Sequence, residues 1–112
     1  MITDQHYQWL NDEPAPRTMR NAIKLYGTQE QAGSANNPEI LAWAKEAGIN
    51  GYTADSIPWC GLFVAICVHR AGKPLPKAPL WARGWLEWGN KSDPPRLGDV
   101  LVFRRDGGGH VG

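Results

Sequence analysis

The sequence predicts an α+β fold, with helices first in the chain and an antiparallel sheet after them. Three observations predict it. Through the first two thirds of the chain, apolar residues recur at three- and four-residue steps in stretches that each end at a glycine. Beyond Asp93-Pro94-Pro95 that period gives way to Val100, Leu101, Val102 and Phe103, a β-branched and aromatic run. Asp106-Gly107-Gly108-Gly109 then supplies a turn, and His110-Val111-Gly112 starts the return strand.

In chain order, residues 1–15 mix polar groups with Tyr7, Trp9 and Leu10 and close at Pro14 and Pro16, which predicts a loosely docked arm. The domain proper is expected over residues 16–112. Met19, Ala22, Ile23 and Tyr26 place a helix over 16–26, stopped by Gly27. Residues 28–36 read as a polar loop. Asn37-Pro38-Glu39 combines an N-cap, a first-turn proline and a first-turn acid, so a second helix runs from there to about Ala47 and stops at Gly48. After a loop over 48–57, Pro58 opens a third helix, ended by Gly72. Pro74, Pro76 and Pro79 make the next stretch extended. Trp81, Trp85 and Trp88, at i, i+4 and i+7, fall on one face of a short helix, where they form core or line a groove.

Composition excludes several classes. With 112 residues there is room for one domain. A formal charge of +1 is not that of a general binder of nucleic acid or anionic membrane. No apolar run reaches the roughly 20 residues of a membrane span. The opening residues lack a basic start followed by an apolar stretch, so the chain is expected to be made in the cytoplasm without a secretory signal. Two cysteines are too few for a disulfide framework. No metal site is expected, for there is no C-x-x-C, no H-E-x-x-H and no close histidine pair.

The chemistry-bearing residues are the cysteines and the three histidines. Cys60 falls in the first turn of the third helix, where unpaired N–H groups and the helix dipole favour an anion. It is either a nucleophile or an inert buried cysteine. Cys67, seven residues on and about 10.5 Å away along an intact helix, is too far for a disulfide and is expected in the core. His69 falls on the opposite side of that helix from Cys60, and His6 lies in the arm. His110 remains, either a polar turn residue or the base. A cysteine on a helix start with a histidine on a downstream strand is the arrangement of papain-like chemistry.

The segment Asp55-Ser56-Ile57-Pro58-Trp59-Cys60-Gly61-Leu62-Phe63-Val64 resembles the nucleophile segment of the CHAP and NlpC-type cell-wall cysteine peptidases. The resemblance is closest to a compact branch common in phages and prophages. Asn37-Pro38, Trp88-Gly89, Gly98-Asp99 and Gly109-His110-Val111-Gly112 match further motifs of that branch in order and spacing. It implies a papain-like α+β fold and a cysteine-dependent amidohydrolase or peptidase acting on peptidoglycan without a cofactor. Carried over, Cys60 is the nucleophile and His110 the general base. Trp59 and Asp55 flank the nucleophile and shape the substrate entrance, while Asp99 pins the strand start. The family's third, histidine-orienting residue normally follows one strand later. The sheet is therefore expected to be cut short at residue 112, in a fragment or a shortened member. The implied setting is a phage or prophage lysin, released or injected to reach the cell wall. The same Cys-His pair would also serve acyl transfer or deamidation. The alternative of another class is a non-catalytic cell-wall-binding or phage-structural module. Oligomeric state is not legible.

Overall fold

The computed structural model describes residues 2–31 and 36–112. Among them are three α-helices, α1 (Arg17–Lys24), α2 (Pro38–Glu46) and α3 (Cys60–Arg70), and one antiparallel hairpin, β1 (Val102–Arg105) with β2 (Gly108–Val111). The fold is thus a small α+β arrangement, in the order the sequence predicts. The polar loop expected over 28–36 falls partly outside the described residues.

Helix α3 is the centre of the molecule, because α1, α2 and β2 all pack on it. Its run GLFVAICV is apolar all round, the pattern of a helix covered on more than one side. One side joins Leu62, Ile66 and Cys67 to Ile40, Trp43 and Ala44 of α2. The other joins Val64, Ala65 and Val68 to Ala82, Trp85 and Val111. Each large side chain fully buried this way contributes about 2–3 kcal/mol of transfer free energy.

The helix ends follow local chemistry. The Asn37 side chain accepts the N–H of Glu39 at 2.9 Å, and Pro38 needs no partner at the first helical position. Gly48 and Gly72, at φ +72° and +78°, take the left-handed conformation just past α2 and α3. Arg70 and Glu46 tie α3 to α2 through a two-pronged exposed ion pair at 2.9 and 3.0 Å. Residues 2–15 are mostly exposed, yet Ile2 is buried and the Asn11 amide bonds both its N–H and its carbonyl at 2.9 Å.

Two expectations need correction. The tryptophans at 81, 85 and 88 do not share a helical face, because the helix is one 3-10 turn, Ala82–Trp85. Trp85 is buried and meets Trp88 edge-on at 5.2 Å, whereas Trp81 precedes the turn and is 57% exposed. Nor is Val100–Phe103 a buried strand. The ladder begins at Val102, and α3 covers only the face carrying Val102 and Val111. Period-two alternation therefore leaves Phe103 half exposed on the other face. Leu101 does continue the pairing, exchanging two backbone hydrogen bonds with Gly112.

Candidate active site

The loop entering α3 is set by two inward-facing polar side chains. Tyr52 donates its hydroxyl to the Ile57 carbonyl at 3.0 Å, and burial, with Asp55 and Glu30 nearby, pushes its pKa up to about 12. Asp55, 2% exposed, accepts the N–H groups of Gln31 and Asn37, both at 2.7 Å on the same oxygen. Its own N–H is donated to the Asn36 side chain at 3.1 Å. The carboxylate thus faces the protein, and any effect of Asp55 on an entrance passes through the backbone it holds.

Cys60 is the first residue of α3 and is half buried. The residue before it, Trp59, offers no side-chain cap. The first-turn N–H groups of α3 therefore have no side-chain acceptor. Beside them lies Gly61, whose missing side chain leaves room for the Pro79 carbonyl and the Leu80 backbone. A Cβ there would stand 2.9 Å from the Leu80 carbonyl carbon and closer still to the Pro79 oxygen. Trp85 Nε1 donates to the same Pro79 oxygen at 3.0 Å, which fixes the turn over 79–81, closed by the Trp81 N–H on the Ala78 carbonyl, against the helix start. The sequence carries a signal for this contact in Gly61 itself. A glycine inside the first turn of a helix costs about 1 kcal/mol against alanine, which calls for a steric reason.

Trp59 is half buried and packs against Trp43 with ring centroids 5.9 Å apart. With Phe63, Ile2, Met19 and Tyr26 it lines an apolar cavity of about 360 Å³. Trp59 is thus placed between the core and an open apolar hollow, next to the thiol.

His110 lies on β2, opposite Phe103, and the two rings stack at 6.0 Å and 24°. Its neighbour Val111 points the other way, into the cluster against which Cys60 packs. The fold therefore brings the strand of His110 to the helix of Cys60, while the imidazole itself is exposed on the outer face. No hydrogen bond of the structure joins the imidazole to the Cys60 thiol. His69 is exposed in the last turn of α3, and His6 is exposed in the N-terminal arm. Cys67 is buried among the core side chains, and burial pushes its thiol up to about 12, with Arg70 opposing weakly. Asp99 accepts the Arg96 N–H at 2.7 Å, a bond that holds its carboxyl below the usual range and closes the turn before β1.

No described helix is long and apolar enough to cross a membrane. Residues 51–112, more than half of the chain, match the family model described as the CHAP domain. No curated protein and no solved structure matches the chain.

Proposed function

The chain belongs to the CHAP-domain family, whose members are typically cysteine- and histidine-dependent amidases or peptidases of the cell wall, and from that premise we propose that it hydrolyses an amide bond of the peptidoglycan stem peptide through Cys60 and His110. The observation that carries this reading is the position of Cys60 as the first residue of α3. It is half exposed and sits in the one cluster that also receives the strand of His110.

The Cys60 sulfur attacks the amide carbonyl carbon, and the oxyanion that forms lies at the uncapped first-turn N–H groups of α3. The C–N bond breaks, and the imidazolium of His110 gives its proton to the departing amine. Water then attacks the thioester, His110 takes the water proton, and the thiolate leaves with the acid product. For the pair to act, the imidazole leaves its stack on Phe103 and turns toward the helix start. Trp59, beside the thiol and lining the apolar hollow, borders the substrate. The ordered motifs from Asn37-Pro38 to Gly109-His110-Val111-Gly112 support a phage or prophage lysin acting on the wall after release or injection.

The test is incubation of the protein with insoluble peptidoglycan, followed by mass spectrometry of the soluble fraction. Fragments released by the unsubstituted protein and by Cys67→Ala, but not by Cys60→Ala or His110→Ala, are expected. Retention on the wall with no fragments from any form would replace the hydrolase with a wall-binding module.

A further inference from the structure

The N-terminal arm is bonded to itself and not to the body it lies on. The Asn11 amide accepts the N–H of Ile2 and donates to its carbonyl, both at 2.9 Å, which closes residues 2–11 into a loop. Inside that loop the Tyr7 N–H donates to the Asp4 carbonyl and the Leu10 N–H to the Tyr7 carbonyl, both at 3.0 Å. The Gln8 side chain donates to the Thr3 carbonyl at 3.2 Å. Among the described residues, no hydrogen bond joins residues 2–13 to the rest of the chain. The ion pair found among them, Arg70 with Glu46, does not involve the arm either.

One side chain seats the arm. Ile2 is buried, whereas residues 3–9 are all exposed. Ile2 forms part of the wall of the apolar hollow of about 360 Å³, together with Met19, Ile23, Tyr26, Trp59 and Phe63. Further along, Leu10 and Asn11 stand across a second space of about 280 Å³ from Arg20, Ile23 and Lys24 of α1. Asp12 and Glu13 line that space with Arg20 and Lys24 without closing an ion pair, so the attraction between them is open to screening by salt. Ile23 borders both spaces, and the arm therefore bridges α1 instead of packing along it.

The pivot of the arm is fixed. Pro14-Ala15-Pro16 joins it to α1, and the proline rings restrict the backbone there. Gly98 is pressed on Pro16, for a Cβ on Gly98 would stand 2.9 Å from Pro16 Cδ and 3.0 Å from Cγ. Burying one isoleucine favours the closed arm by a factor of about 10 to 100, before the entropy of ordering the arm is subtracted. The open arm is then held by on the order of a few per cent of molecules, within the range of a minor state that a small change can populate. We propose that residues 2–13 form a preassembled cover that opens as one unit about Pro14–Pro16 and controls access to the apolar hollow bounded by Trp59 and Phe63. Where Trp59 borders the substrate the cover also slows cleavage, and that last consequence rests on the cell-wall hydrolase reading.

The thiol introduced by Ile2→Cys reports the opening. Its alkylation is followed by peptide mass spectrometry, and the buried Cys67 of the same molecule reports unfolding of the whole fold. The new thiol is expected to react about tenfold more slowly than free cysteine, at a rate that low denaturant leaves unchanged while Cys67 stays protected. Asn11→Ala in the Ile2→Cys protein should speed the reaction several-fold, and Tyr7→Ala, at an exposed arm position, should not. A new thiol that follows Cys67 through denaturant makes the arm part of the core and overturns the cover. Reaction at the rate of free cysteine overturns it too, because the arm then does not seat. With isoleucine kept at position 2, Asn11→Ala should bind the apolar dye 1-anilinonaphthalene-8-sulfonate several-fold more tightly than the parent, and equal binding overturns control of the hollow. Release of fragments from peptidoglycan by the unsubstituted protein reads the hydrolase alone, and its absence sinks that reading while the thiol and the dye still decide the cover. Given fragments, Asn11→Ala should release them several-fold faster, and an unchanged rate beside faster alkylation overturns the effect on cleavage.

Discussion

Gly61 is pressed against Pro79: the Pro79 carbonyl occupies the space that a side chain at residue 61 would need, one residue past the thiol. The obstacle is backbone, held in turn by Trp85 Nε1, so it cannot swing aside as a flexible side chain would.

Gly61→Ala is therefore expected to destabilise the protein by about 1–3 kcal/mol through overpacking, although alanine alone would favour a helix by about 1 kcal/mol. Denaturant midpoints decide it. A variant as stable as the parent would show that segment 79–81 is not fixed over the helix start.

Asp55 offers a second test. Its buried oxygen accepts two backbone N–H groups, and removing it leaves both without an acceptor. Asp55→Ala should cost about 2–4 kcal/mol, whereas Asp55→Asn, which keeps an acceptor oxygen, should cost less. Amide exchange at Gln31 and Asn37 should rise in the alanine variant alone. Unchanged protection at both amides would mean that the carboxylate does not hold them.

The tryptophans separate stability from surface function. Trp85, buried and hydrogen-bonded, should cost about 3–5 kcal/mol when changed to alanine. Trp81 is mostly exposed beside the segment that covers the helix start, so Trp81→Ala should unfold at the same denaturant concentration as the parent. Its retention on insoluble peptidoglycan should fall. A large loss of stability at Trp81, or equal retention, would contradict this division.

High pH should weaken the fold in a defined window. Burial raises Cys67 from an ordinary 9.0 and Tyr52 from an ordinary 10.0, each to about 12. In that interval the folded chain keeps protons that the unfolded chain has released. The associated stability is fully present below about pH 9 and is lost as pH rises toward 12. Denaturant midpoints from pH 7 to 11.5 should stay level and then fall. Tyr52→Phe and Cys67→Ala should each flatten part of the decline. A slope untouched by both changes would assign it to other groups.

The sequence made much of this architecture legible because the deciding signals are local. Asn37-Pro38 caps α2, Gly48 and Gly72 follow α2 and α3, and the seven-residue offset of Cys67 from Cys60 separates a core thiol from a surface one. Three features were not legible, each because it depends on residues distant in the chain or on a change of period. Trp81 fits a 3.6-residue spacing, but the chain there makes a 3-10 turn whose repeat is three, so the ring falls off the buried face. Asp55 reads as a residue flanking the thiol, and only the return of Gln31 and Asn37 turns it inward. Arg83 and Gly109 lie 26 residues apart and meet because the 3-10 turn packs across the hairpin. His110 is legible as a strand residue beside the cysteine helix, while the side of the strand its ring takes is set by the burial of Val111.

Helix α3 belongs to both buried clusters at once. Its two sides cannot be uncovered in turn, since losing the hairpin would leave Val64 and Val68 in water, and losing α2 would expose Leu62 and Ile66. Each loss weakens the helix that the other side needs. The consequence is cooperativity: a chain with two separate cores melts as one unit, and damage far from the thiol, in α2 as much as in the hairpin, is felt at the residue where the helix begins.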